Sequence, residues 1–176
     1  MRAFLAIEMS DEAKGEILRF SNELRKSNLF QGKFVELENL HLTLKFFREI
    51  LEKEAGMIYD VLKEIEIPSF SCKLGKLGFF GNRVLWIDIE DNGSVKKLHD
   101  IIDSKLGDFF SKDERFHNHV TIARIKQIKN NERLKEFIEK IKINPIEFSV
   151  KEFKFMESEL TSAGPVYKEL YKFELK

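Results

Sequence analysis

Residues 40–47 read Leu-His-Leu-Thr-Leu-Lys-Phe-Phe, and residues 117–124 read His-Asn-His-Val-Thr-Ile-Ala-Arg. Each stretch holds a histidine and a threonine two positions apart, with an aliphatic residue between and after them: His41-Leu42-Thr43-Leu44 and His119-Val120-Thr121-Ile122. Alternation of this kind marks a half-buried strand. Side chains at i and i+2 of a strand leave the same face, about 6.5–7 Å apart along the chain. Each stretch therefore points an imidazole and a hydroxyl one way and its aliphatic residues into a core. The chain has four histidines and three threonines, and random placement gives two such pairs with a chance on the order of one in a thousand. The strand preference of threonine softens that figure without removing it.

Outward from these stretches the chain repeats one order of elements. Arg2 to Glu8 (RAFLAIE) reads as a buried strand, and Ser10 caps a helix whose first turn carries Asp11 and Glu12. Ile17, Leu18, Phe20 and Leu24 supply its apolar side as far as Asn28. After the strand at Leu40 to Phe47, helical spacing of Leu51, Ala55, Ile58, Leu62 and Ile65 runs up to Pro68, and Phe70 to Leu77 resumes a strand. The second half follows suit. Val84 to Glu90 is a strand paired with Gly78 to Phe80 across a Gly81-Asn82 turn, and Val95, Leu98, Ile102, Leu106 and Phe109 mark a helix. His117 to Arg124 is a strand, Leu134, Phe137, Ile138 and Ile141 mark another helix, and Ile146 to Met156 and Val166 to Leu175 close the chain as strands. His99 falls at the solvent boundary of the third helix in this reading. The repeat predicts a single α+β domain over 1–176, with pseudo-symmetric halves at approximately 1–77 and 78–176 that meet at a shared cleft.

Composition narrows the function classes. At 176 residues, 43% hydrophobic and 34% charged, the chain supports one sizeable core and is not a low-complexity polymer. Thirty basic residues balance thirty acidic ones, which argues against a bulk nucleic-acid binder and leaves room for a local basic pocket. No apolar run approaches the roughly 18 residues of a membrane span, and Met1 to Glu8 lacks the basic flank and cleavage site of a signal peptide. The lone Cys72 makes no internal disulfide and sits in an alternating stretch as a core residue rather than a nucleophile. A cytoplasmic protein is expected, with no membrane association and no obligate protein partner.

Two imidazoles with ordinary pKa near 6.5 offer a neutral ring to accept a proton and a protonated ring to donate one. Threonine hydroxyls add uncharged donors for nonbridging phosphate oxygens. That inventory suits in-line displacement at a phosphodiester with no metal and no cofactor. A metallohydrolase reading would gather His41, His117 and His119 around zinc, but it has no acidic fourth group nearby and leaves both threonines without a role. Of the 17 phenylalanines most belong to core patterns; Phe46, Phe47, Phe79, Phe80 and Tyr167 are candidates to stack a nucleobase. Lys126, Lys129 and Arg133 read as a solvated helix lead-in.

The paired H-x-T-φ motifs, φ being apolar, resemble the signature of the two-histidine (2H) phosphoesterases. The surrounding sequence is similar to the RNA 2′,3′-cyclic phosphodiesterase branch, historically called 2′-5′ RNA ligases. The likeness lies in Arg2-Ala3-Phe4-Leu5-Ala6-Ile7, Glu38 to Phe46, His119-Val120-Thr121-Ile122-Ala123-Arg124, and the ending Ser158-x-Leu160 with Gly164-Pro165-x-Tyr167. It implies a two-lobed 2H fold: duplicated strand-helix-strand-helix-strand units forming antiparallel sheets around a central cleft, with helices outside. It further implies His41 and His119 as the acid/base pair, Thr43 and Thr121 as phosphate ligands, and Arg124 in contact with substrate. Strand parity alone sets Arg124 opposite His119, so its place in the site rests on the resemblance together with a strand end or a bulge. The implied partner is an RNA 3′ end bearing a 2′,3′-cyclic phosphate, tRNA fragments among them. The implied reaction opens the cyclic phosphate to a 2′-phosphomonoester, with His119 preferred as base toward water and His41 as acid toward the leaving 3′ oxygen. Ligation to a 5′-hydroxyl RNA end is the same chemistry with another nucleophile, and a non-catalytic RNA-end-binding module is the alternative of a different class. Asn118 stands where the family usually has proline.

Overall fold

Ser10, two residues past the end of the first strand at Glu8, starts the first helix. Its hydroxyl accepts from the Ala13 N–H, Asp11 and Glu12 face the positive end of the helix dipole, and Arg25 and Lys26 face the negative end. Asn28, at φ 53°, closes that helix in the left-handed conformation asparagine tolerates. The computed structural model describes residues 1–176. Its elements are β1 (Arg2–Glu8), α1 (Asp11–Ser27), β2 (Phe30–Phe34), β3 (His41–Glu49), α2 (Glu52–Leu62), β4 (Phe70–Phe80) and β5 (Val84–Glu90), then α3 (Ser94–Lys105), β6 (His119–Ile128), α4 (Asn131–Lys140), β7 (Glu147–Val150), β8 (Glu152–Thr161) and β9 (Gly164–Glu174).

The nine strands form one sheet in the order β7-β4-β5-β6-β3-β1-β8-β9, with β2 laid along the far half of β6. Every pairing is antiparallel. The sheet has two arms, and they meet where Leu42 of β3 pairs with Val120 of β6. Strands of the two sequence halves interleave: β2 pairs with β6, while β8 lies on β1 and carries β9.

Leu42, Leu44, Val120 and Ile122 are each at most 1% exposed. They share one contiguous core with Ile17, Phe20 and Leu24 of α1 and Val95, Leu98 and Ile102 of α3. Burial of each such side chain stabilises by about 1.5–3 kcal/mol. A slip of one residue would exchange these aliphatics for His and Thr, so the burial fixes the register of both motif strands. Their opposite face is left open.

Several elements differ from the sequence reading. β2 (FQGKF) has no counterpart in it; the central residues of this strand are exposed and carry no alternation. The stretch Ile146 to Met156 is two strands, because the chain leaves β4 after Val150 and pairs with β1 from Lys154. The third helix ends at Lys105, short of Phe109, and the second motif strand starts at His119. The Gly81-Asn82 turn forms as expected, with Gly81 at φ 55°. His99 is not at the solvent boundary: it is 1% exposed, stacked on Phe116 with ring centroids 3.9 Å apart. Cys72 is buried, and burial together with the nearby Asp91 charge pushes its thiol up to about 12.

Candidate active site

β3 and β6 carry the same sequence of environments. His41 and Thr43 are half-buried, Leu42, Leu44 and Lys45 are buried, and Phe46 is exposed. His119, Thr121, Val120, Ile122, Ala123 and Arg124 repeat that series in the same positions. The doublet of buried residues in each is a β-bulge. Leu44 is the extra residue between the pairs Leu5–Lys45 and Ala6–Thr43, and Ile122 is the extra residue between Leu85–Ala123 and Trp86–Thr121. Each bulge inverts the alternation that follows it. Phe46 and Arg124 therefore join the histidine face, and Lys45 turns into the core.

One antiparallel pair sets the rest. With Leu42 opposite Val120, one step along either strand brings His41 opposite Thr121 and Thr43 opposite His119. The two histidines are then diagonal neighbours, a relation that separates Cβ atoms by about 7–8 Å or somewhat less.

Both rings are pinned in the same way. His41 Nδ1 lies 2.6 Å from the Asn39 carbonyl oxygen, and His119 Nδ1 lies 2.8 Å from that of His117. A carbonyl only accepts, so each Nδ1 carries the hydrogen and each Nε2 is the nitrogen left to take up a proton. The Thr43 hydroxyl is 3.0 Å from His41 Nε2. His41 packs against Phe4 and Tyr167, with centroids at 4.8 and 5.3 Å; His119 packs against Phe80 at 4.8 Å and Trp86 at 6.2 Å.

Those surroundings decide the proton affinities. Burial lowers the His41 pKa below its ordinary value; the Asn39 hydrogen bond pulls the other way, the His119 charge lowers it further and Glu8 raises it. Burial likewise lowers His119, opposed by the His117 carbonyl, reinforced by the His117 ring and opposed by Asp88. Glu8 and Asp88 hold equivalent places, each directly across from its histidine on the neighbouring strand. Burial also raises the Tyr167 phenol, against the charges of Arg124 and Arg2.

The four motif side chains line a cavity of about 770 Å³ together with Arg124, Arg2, Lys33, Phe46 and Tyr167. The β8–β9 hairpin roofs it. Lys33 Nζ donates to the Ala163 carbonyl at 2.9 Å, and Asn39 Nδ2 donates to that of Pro165 at 3.0 Å. Gly164 sits at φ 127° beneath the lysine, and a Cβ there would stand 2.8 Å from Lys33 Nζ. Asn39 thus holds His41 through its carbonyl and the roof through its amide.

His41, Thr43, His119, Thr121 and Arg124 all line this one cleft. Among the proposed stacking aromatics, Phe46 and Tyr167 line it, whereas Phe47 is only 6% exposed and belongs to the core. Phe79 packs partly buried on that core, and Phe80 stands beside His119 outside the cavity lining. His117 turns Nε2 toward Asp88 at 3.7 Å and does not line the cleft. The zinc set of His41, His117 and His119 is not brought together, and no other three His, Cys, Asp or Glu side chains cluster for a metal. Lys126, Lys129 and Arg133 lie off the cleft, with Lys129 bonded to Asn28. Asn118 is anchored without proline's ring: its amide donates to Asp91 at 3.2 Å and its carbonyl accepts from Ile89 at 3.0 Å. Arg2, Lys33 and Asn39 escaped the sequence reading as site residues, because their place depends on β1, β2 and the hairpin converging.

Comparison with known proteins places the chain in one family. The family model of the 2′-5′ RNA ligase superfamily matches residues 13–161. An RNA 2′,3′-cyclic phosphodiesterase of Methanocaldococcus jannaschii is 37% identical over 95% of this chain and 96% of its own length. One from Thermotoga maritima is 34% identical over 100% and 96%. Among solved structures, TT0787 of Thermus thermophilus superposes with a TM-score of 0.79 at 25% identity, covering 99% of this chain and 97% of that one. Apo LigT of E. coli shares the fold, with a TM-score of 0.81 over 99% and 96% of the two chains at 22% identity. With a family match over most of its length and relatives above 30% identity along nearly all of it, this chain belongs to the 2′-5′ RNA ligase superfamily.

Proposed function

We propose that this protein hydrolyses RNA 2′,3′-cyclic phosphate ends to 2′-phosphomonoesters. The observation that carries the reading is the diagonal pair of pinned imidazoles, each flanked by the other motif's threonine across one strand pairing. The names of the relatives, RNA 2′,3′-cyclic phosphodiesterases, support it.

In this scheme the phosphorus sits between the two Nε2 atoms, with nonbridging oxygens held by Thr43 and Thr121 and charge offset by Arg124. Water attacks phosphorus in line with the 3′ oxygen. One ring, neutral, takes the water proton; the P–O3′ bond breaks; the other ring, protonated, delivers its proton to the departing oxygen. The 2′ ester bond is retained. Each proton transfer is worth roughly 10²–10⁴-fold, and no step calls on a metal ion. Exposed Phe46, with the Arg2 guanidinium 5.7 Å from its ring centre, offers a shelf for the terminal nucleobase. Arg2, Lys33 and Arg124 on the cleft of a chain with no net charge suit recognition of an RNA end, with tRNA fragments as natural substrates.

The test is incubation with a defined 2′,3′-cyclic-phosphate oligonucleotide under exhaustive chelation, with the product assigned by ³¹P NMR. A 2′-phosphate end is expected. Absence of turnover, or a 3′-phosphate product, would overturn the reading. Adding an RNA with a 5′-hydroxyl end distinguishes ligation, which would yield a joined 2′-5′ product.

A further inference from the structure

Without the bulge at Leu44, Lys45 would share the cleft face with His41 and Thr43, where an ammonium would meet a phosphate. It does the reverse. Lys45 is 4% exposed, buried behind the sheet, with Nζ on Asp103 Oδ1 at 2.5 Å and on the Ser111 carbonyl at 2.8 Å. The other carboxylate oxygen of Asp103 accepts from the Asp113 N–H at 2.6 Å. His99, one helical turn earlier on α3, donates from Nδ1 to the Leu44 carbonyl at 2.8 Å, and its Nε2 faces the Asp113 carbonyl at 3.3 Å. The Leu44 carbonyl belongs to the bulge residue itself. Ser111 and Asp113 belong to the segment leading to His117, whose carbonyl pins the His119 ring.

These three side chains therefore hold backbone on both sides of the site, at the bulge beside Thr43 and in the approach to His119. A buried ion pair is a poor source of net stability, since desolvation consumes most of its attraction and apolar replacements of similar volume are often neutral or better. An arrangement costly to bury and bonded mainly to two strand approaches has a geometric role.

We propose that Lys45, Asp103 and His99 are positioning residues that set the separation and tilt of the His41 and His119 rings. The proposal rests on the two-histidine reading above. A misplacement near 1 Å in such a site costs about 10²-fold in rate.

Two sets of variants test it. Lys45→Met with Asp103→Leu replaces the pair by apolar groups, and His99→Leu removes the donor that His99→Asn keeps near the Nδ1 position. On a cyclic-phosphate oligonucleotide, the double variant and His99→Leu should lose roughly 10–10²-fold in kcat with KM within about threefold. His99→Asn should stay within about threefold of wild type. The ¹⁵N ring shifts of His41 and His119 should move in His99→Leu and hold in His99→Asn. Wild-type kcat in folded His99→Leu, or equal losses in both His99 variants tracking their Tm, would overturn the proposal. If the double variant does not fold, the His99 pair still decides. If wild type shows no turnover, the proposed function fails, and the ring shifts alone decide the positioning role: unchanged shifts in His99→Leu overturn it.

Discussion

Leu42 and Val120 pair across the seam between the two arms of the sheet, and the site is arranged around that pair. Both side chains point into the core, so the residues on either side of them, His41, Thr43, His119 and Thr121, share the opposite face. Two histidines far apart in sequence become neighbours through a single backbone register.

Removing either ring should abolish most turnover with little effect on the fold. His41→Ala and His119→Ala are each expected to lower kcat by roughly 10²–10⁴-fold, and the double variant should lose far less than the product of the two. Single-turnover kinetics beside thermal melts checks this, and a variant with wild-type kcat would discard its ring from the mechanism.

The pH profile should be a bell displaced toward acid. kcat/KM reports free-enzyme groups, and both rings are lowered, chiefly by burial. Activity should rise as the base loses its proton below the ordinary imidazole value of about 6.5 and fall as the acid, also lowered, loses its own. Asp88→Asn removes a charge that raises His119, so it should move one limb further toward acid. The same shifts bear on folding. Both rings bind protons more readily when unfolded, so stability should decline as pH falls through about 6.5 toward the lower folded values, a loss measurable as a falling urea midpoint.

Thr43→Ala and Thr121→Ala should each reduce kcat by roughly 10–10³-fold, the scale of a lost transition-state hydrogen bond. Steady-state kinetics on one oligonucleotide is sufficient, and a change confined to KM would assign the hydroxyls to ground-state binding instead.

Phe46→Ala should weaken substrate binding by about 1–3 kcal/mol, the range for one base–aromatic stack, while thermal stability barely moves because the ring is already 48% exposed. Binding of a non-hydrolysable end analogue, measured by calorimetry, checks it.

Gly164→Ala should destabilise the roof. The φ of 127° is unfavourable for alanine, and its Cβ would press on Lys33 Nζ; where a compatible glycine-to-alanine change gains about 0.4–1 kcal/mol, a loss of about 1 kcal/mol or more is expected here. A lowered Tm together with a raised KM would locate the damage at the cleft.

The histidine face was legible in sequence because alternation in LHLTLKFF and HNHVTIAR is strict up to the bulge. Beyond it, parity misassigns Lys45, Phe46 and Arg124, since nothing in residue type announces where one strand takes an extra residue. His99 and Asp103 follow Val95 at steps of four and so lie on the buried stripe of α3. Their polar type hid them, and the Leu44 carbonyl, Lys45 and the 111–116 segment explain their burial. The break between β7 and β8 did leave a trace: buried positions change parity between Val150 and Phe153. β2 left none, because its role is to give β6 a partner where β3 has departed.

The pairing of β8 with β1 has a consequence for biosynthesis. A nascent chain that has emerged only as far as Val150 already contains both H-x-T stretches, yet β1 lacks its outer neighbour and the cleft has no cover. Such an intermediate holds both histidines without Tyr167 or the hairpin that lines the rest of the cleft, so the complete site forms only after translation has moved well past the second motif.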